Sequence, residues 1–330
     1  MAACSSNDGP PGDAGSDAFD AGTDAVVGGD TGVDSAMAED AGVDAFDAGF
    51  DAGPLTGESY VYVFDLLDVG AADPAGDPNI VPGFDLDGVT SDGTEVETCR
   101  TPDFTSPAPD SEEGVDNAIG PLLADQEEDF RIRASTAASV RSGRLLILLE
   151  VRGVDDFEND DRVEVDVLFG LLPAGLEAPI FSGERFLAAQ TFNIDARSLE
   201  DDMMTARVSL PGEINDGRLR AGPGRLALTV PLGDEVLMLD LERVELRADI
   251  TEDNLELGVL GGALDVAATA EALAGVSGFE QPLVMLVLNG AADLDRVGAN
   301  CTAASIGLVF RGVDAVKGDV VMPDPPPPMP

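Results

Sequence analysis

Fourteen residues, PGFDLDGVTSDGTE at 82–95, hold Asp85, Asp87, Asp92 and Glu95 around glycine turns. Carboxylates this close repel one another unless water or a cation separates them, and hard oxygen ligands on a glycine turn suit calcium. With Gly88 at the turn position of a calcium-binding helix–loop–helix, Asp87 and Asp85 fall at the fifth and third ligand positions. Gly83 then stands where the first Asp belongs and Thr94 where the bidentate Glu belongs, so the stretch is not that motif. A looser calcium site from Asp85, Asp87 and Asp92, joined by Asp116 and Asn117 of GVDN, stands beside the plainer reading of a solvated acidic turn. A second acidic run, GVDDFENDDR at 153–162, offers Asp155, Asp156 and Asp160 between two strand-like segments, with the same alternative.

Other chemistries are closed off by what the chain lacks. Among 330 residues there is no His and no Trp, and 64 acids stand against 18 bases for a net charge of -46. Without His there is no Ser-His-Asp or Cys-His nucleophile system, and zinc loses its main nitrogen ligand. A polyanion repels phosphate backbones, so nucleic acid is not an expected partner. Lys317 is the only lysine, and AVKGD around it lacks the glycines of a phosphate-binding loop. GPGRLA at 222–227 spells a dinucleotide fingerprint, but an alternating strand follows where a helix is required. A hydrolase using a carboxylate pair needs only two acids about 5 or 6.5–9.5 Å apart. Sugar rings are usually gripped by aromatic faces, however, and the only tyrosines are Tyr60 and Tyr62. A non-catalytic role is the expectation.

The first residues carry a different signal. MAAC at 1–4 resembles the end of the box at which bacterial lipoproteins are acylated, with Ala3 at the small-residue position and Met1 where Leu is usual. The resemblance implies lipid on Cys4, and Ser5 after it implies the outer membrane. The segment DAGSDAFDAGTDA at 13–25 recurs as DAGVDAFDAGFDA at 40–52. Its glycines oppose a stable helix, and its apolar content is mostly Ala, too little to bury. Some fifty such residues span about 40 Å as a flexible coil, further with like charges repelling. Acylation-like start, Asp/Ala/Gly spacer and β-rich body together resemble the surface lipoproteins of GC-rich Gram-negative bacteria, myxobacterial ones in particular. The resemblance implies attachment to the membrane through lipid only and no residues beyond Cys4. If Cys4 is acylated, Cys99 and Cys301 remain as a pair, against the alternative of two buried thiols. The bridge would close a loop of about 200 residues, worth on the order of 5 kcal/mol in loop-closure entropy.

Three regions follow: the lipid-attachment Cys and tether over 1–57, one mostly β domain over 58–320, and a Pro-rich tail over 321–330. Strands are expected at YVYVFDLL (60–67), RLLILLEVRG (144–153), RVEVDVLFG (162–170), RFLAAQTFNI, MTARVSLP, GRLALTVPL, EVLMLDLERVELRADI, QPLVMLVLNG (281–290) and ASIGLVFRGV (304–313). Short strands separated by Gly, Pro, Asp and Asn turns indicate a two-sheet antiparallel sandwich, jelly-roll-like, or a barrel. Helices are expected within 115–129 and within 264–275, where Asp265 caps. Residues 68–114 read as a long loop, pinned by Cys99 if the bridge forms. No apolar run approaches the roughly twenty residues of a membrane-crossing helix. The expected role is a binding module for a protein or envelope component; the alternatives are a purely structural envelope protein and the carboxylate-pair hydrolase.

Overall fold

The computed structural model describes residues 54–73, 75–94, 99, 101–125, 131–232, 235–274, 281–298 and 300–323. Cys4, nearly all of the tether and residues 324–330 lie outside them. Strand β1 (Glu58–Val69) leads into the long connection, which carries β2 (Phe104–Thr105) and β3 (Glu113–Val115). Helices α1 (Ile119–Asp125) and α2 (Ile132–Arg141) follow, then β4 (Ile147–Val154) and β5 (Asn159–Leu171). The hairpin β6 (Phe181–Ser182) and β7 (Arg185–Phe186) precedes β8 (Gln190–Asp195). A meander of β9 (Ser209–Asn215), β10 (Arg218–Leu232), β11 (Glu235–Ile250) and β12 (Asn254–Asp265) comes next. Helices α3 (Val266–Ala274) and α4 (Gln281–Ala291), β13 (Leu294–Val297) and the long β14 (Asn300–Val321) complete the chain.

Of the two expected architectures, the chain adopts the barrel. Strands pair in the order β1, β4, β5, β9, β10, β11, β12, β14 and back to β1, every pair antiparallel. Closure removes the exposed edges of an open sheet, and eight strands leave an interior that side chains can fill. Here they do. Tyr62, Phe64, Leu149, Val165, Leu210, Ile214, Leu219, Leu246, Leu260 and Phe310 are all buried in one apolar cluster, with Phe64 and Phe310 stacked at 4.3 Å between ring centres. The opposite positions on the wall are charged and paired. Arg152 bonds Glu164 and Asp166, Lys317 bonds Glu150, and Arg218 bonds Asp249. A lipid-facing barrel has the reverse polarity, with apolar side chains outward. No helix among the described residues is long and apolar enough to cross a membrane.

The connection after β1 forms a second layer on the outer wall. Phe84 and Leu86 pack against Val259, Ala263, Leu294 and Ala303 in a satellite apolar cluster. Glycine makes this close approach feasible: a Cβ on Gly261 would lie 2.6 Å from the Phe84 ring, and one on Gly307 2.4 Å from the Pro82 carbonyl oxygen. Arg247 of β11 is fully buried beneath the layer. Its Nη1 bonds Glu112, its Nη2 bonds the Gly83 carbonyl and its guanidinium stacks over Phe84 at 4.5 Å. Arg247 Nε lies 2.9 Å from Asp110 Oδ2, but off the line of a hydrogen bond. The Cys99–Cys301 disulfide ties the same layer to the start of β14.

Several expectations are corrected. QPLVMLVLNG forms helix α4, not a strand, and Asn254–Asp265, not among the expected strands, forms β12. Helix α1 begins only at Ile119, because Glu113–Val115 pair with β2 as β3. RFLAAQTFNI divides into β7 and β8; EVLMLDLERVELRADI, long enough to bend or split, stays one strand, β11, with register shifts in its pairing to β12. As expected, the described part of 68–114 is a long connection, irregular after β1 except for β2 and the start of β3, and joined to β14 by the Cys99–Cys301 bridge. Asp265 does cap its helix, accepting from the Ala268 amide at 2.7 Å.

Asn117 is the clamp of the layer. Its Nδ2 donates to the Gly70 and Pro82 carbonyls, and its Oδ1 accepts from the Gly120 and Gly307 amides. Truncation leaves four groups without this partner, each costing on the order of 1–3 kcal/mol where buried. We expect Asn117→Ala to lower unfolding free energy by at least about 3 kcal/mol, read from the urea midpoint; an unchanged midpoint would contradict the clamp.

Candidate functional site

Among the described residues, one group of acidic side chains is close enough to share a cation: Asp85, Asp87 and Asp116, with one carboxylate oxygen of each within 4.8 Å of the others. Pairing of Phe84 with Asp116 brings the two stretches together, and the Leu86 amide donates to Asp116 Oδ2 at 2.7 Å. The Gly88 amide donates to Asp85 and the Val89 amide to Asp87, so each acid also fastens its own turn. Calcium takes six to eight oxygens, of which this group supplies three.

The other predicted ligands are elsewhere or engaged. Both accepting directions of Asn117 Oδ1 are used by backbone amides, which removes it from the ligand set. Asp92 accepts from the Thr94 amide and hydroxyl within its own turn. At the β4–β5 hairpin, Asp155 accepts from Thr56, Asp156 from the Glu158 amide, and Asp160 from the Asp155 and Arg162 amides. That tip is a turn held by its own carboxylates, and they do not join a cluster of three.

Burial sets the protonation of the Asp116 group. Desolvation pushes the Asp116 carboxyl up to about 8, with the Leu86 amide opposing and Asp87, Asp293 and Asp103 adding to the rise. Desolvation likewise raises Asp87, against the Val89 amide, and lifts Asp293 to about 6 despite its hydrogen bonds from Ser305. At neutral pH a proton therefore sits on Asp116.

A second feature lies across the molecule. Strand β8 runs parallel to the end of β14 and antiparallel to the last residues of β5, forming a flap outside the barrel wall. Between flap and wall is a crevice of about 240 Å³. The buried Glu150 of β4 and Asp166 of β5 form its floor, with the exposed Lys317 of β14 beside them, and Leu168, Ile194, Leu199, Ala206 and the exposed Val320 complete the lining. Met203 and Met204 form the lip, Met204 at 81% exposure. Asp202 fixes that lip by accepting from the Met204 and Thr205 amides and the Thr205 hydroxyl. Glu150 is paired with Lys317 and Asp166 with Arg152, an arrangement that holds charge in place. Sequence reasoning missed this crevice; the one available signal was the chain's only lysine, Lys317, just beyond the last expected strand. Comparisons with protein-family models, curated proteins and solved structures each gave no match to the chain.

An aspartate raised in the fold keeps its proton after the unfolded chain has lost its own. The native state thus binds more protons between about pH 4 and pH 8, and stability falls as pH rises through that window. Asp116→Asn retains an acceptor for the Leu86 amide and has no proton to lose. With a chelator present, we expect the variant to melt close to the parent at pH 5 and above it at pH 8. An equal difference at both values would contradict the assignment. Millimolar calcium raising the melting temperature of the parent alone would mark a cation seat instead.

Proposed function

We propose that this chain is the folded part of an exported, lipid-anchored protein of the bacterial cell envelope, and that it is a non-catalytic module binding a protein or another envelope component. The observation that carries the binding role is the crevice and its lip. Two unbranched, polarisable methionines at the mouth of a cleft with both apolar and charged lining can adapt to a partner. Both carboxylates on its floor are ion-paired, which suits orientation and charge better than proton transfer. That weighs against the carboxylate-pair hydrolase. The Cys99–Cys301 bridge supports export, because disulfides persist in oxidising compartments. Acylation of Cys4 and the outer-membrane location rest on the resemblance at MAAC, with the Asp/Ala/Gly segment as the spacer between membrane and barrel.

Mass spectrometry of the native mature protein should find a diacylglyceryl adduct on Cys4; an unmodified Cys4 would overturn the anchor. A Cys4→Ala variant released from the membrane should still sediment with purified envelope fragments. Adding Met203→Ser and Met204→Ser should cut the sedimenting fraction several-fold, and equal sedimentation would overturn the role of the lip.

A further inference from the structure

We infer that the helical cap over one mouth of the barrel is the face at which two copies of this chain meet. Strand β12 leads into helices α3 and α4, whose Val266, Ala270, Val284 and Leu288 are buried in the barrel's apolar cluster. The opposite side of α4 is in water. Gln281, Pro282, Leu286, Val287, Asn289 and Gly290 are exposed there, and Leu286, at 70%, is the most exposed leucine among the described residues. Covering such side chains is favourable. A quarter of the whole chain is charged, yet none of the eleven residues of α4 is, and Glu271 is the one charge among the nine of α3.

Charge selects the occupant. With a net charge of -46, two copies repel wherever their acids face each other. The far mouth of the barrel is such a place. Its turns at 155–158, 215–217 and 251–253 hold Asp155, Asp156, Glu158, Asp216, Glu252 and Asp253, with no Lys or Arg. These turns adjoin, since the Gly217 amide donates to the Glu158 carbonyl and the Ile250 amide to the Gly217 carbonyl. The chain also enters the barrel at that mouth, where Thr56 bonds Asp155, so everything before Pro54 connects at the end away from the cap. In a twofold contact each surface meets itself, and a charge near the axis meets its like whatever its sign. A foreign partner can answer a charge with the opposite one and imposes no such rule. A face cleared of both signs in so acidic a chain is thus complementary to its own copy. The inference goes beyond the envelope-binding reading and uses neither the crevice nor Cys4.

The test is sedimentation velocity over a concentration series, on the full chain carrying Cys4→Ala so that lipid drives no association. A monomer–dimer equilibrium is expected. Added salt should tighten it, because screening weakens the repulsion between two polyanions while the contact itself holds no ion pair. Leu286→Asp should weaken the dimer at least about tenfold, and Val287→Asp should act in the same direction. Both side chains are exposed, so the melting temperature of the monomer should stay near that of the parent. A chain that is monomeric throughout, a dimer that salt weakens, or a dimer that both substitutions leave intact overturns the inference. A monomer that floats with phosphatidylcholine vesicles, and loses this with Leu286→Asp, gives the cap to lipid and overturns it as well. None of these results bears on Cys4 acylation or on the crevice lip, so the broader reading stands or falls separately.

Discussion

A guanidinium without water contact must be met by carboxylates, and Arg247 imposes that demand on the whole outer face of the barrel. Burial lowers its pKa, while the charges of Asp110 and Glu112 work against the loss of its proton. Removing one partner from a buried ion pair typically costs about 3–5 kcal/mol, because the other charge is left uncompensated. The segment that carries Asp110 and Glu112 is therefore held to β11, and with it Phe84 and Gly83, which also touch the arginine. Arg218 and Arg220 on β10 reach the same two acids and extend the contact along the wall. Everything in the acidic group at Asp85, Asp87 and Asp116 is placed by this docking.

The barrel itself imposes the complementary rule. Its inward positions are apolar, so polar residues on the same strands face out, and they are dense enough to require partners. Each patch of outer wall is accordingly covered by a different piece of chain that brings opposite charge. The described residues of 70–118 cover β11, β12 and β14. Arg185 from the β6–β7 hairpin meets Asp65 of β1 and Glu256 of β12. Arg133 of α2 meets Asp68 of β1. Lys317 on the β14 extension meets Glu150 of β4. The last cover fits loosely, and the space left under it is the crevice.

How much of this was legible follows from the range of the forces involved. The alternation of Val163, Val165 and Val167 with Glu164 and Asp166 is a local pattern, and it reads directly as a wall strand with one face in and one out. QPLVMLVLNG misleads because a continuous apolar run suits a buried strand and a packed helix equally. Strand β12 is hidden by Gly258, Gly261 and Gly262, which lower strand propensity; Gly261 serves a contact with Phe84 made from 177 residues away in sequence. Helix α2, IRASTAASVR, has only Ile132 and Val140 as large apolar residues among Ala, Ser, Thr and Arg, too few to stand out as a helical stripe. Of the site, Asp85 and Asp87 were legible from spacing, and Asp116 only as an acid of GVDN that could join them. Asn117 looked like a ligand because a sequence shows an oxygen without showing that two amides already occupy it. The crevice draws on β4, β5, β8, the 199–206 turn and β14, and no local pattern encodes that assembly.

The central claim is that Arg247 fastens an outer layer to a barrel that stands without it. Hydrogen exchange followed by mass spectrometry on Arg247→Met tests this most directly. The account predicts that amides in 80–92 and 112–118 exchange faster by about tenfold or more, while those in 145–154 and 162–170 keep their protection. Equal acceleration in both sets, or none in the first, would contradict it.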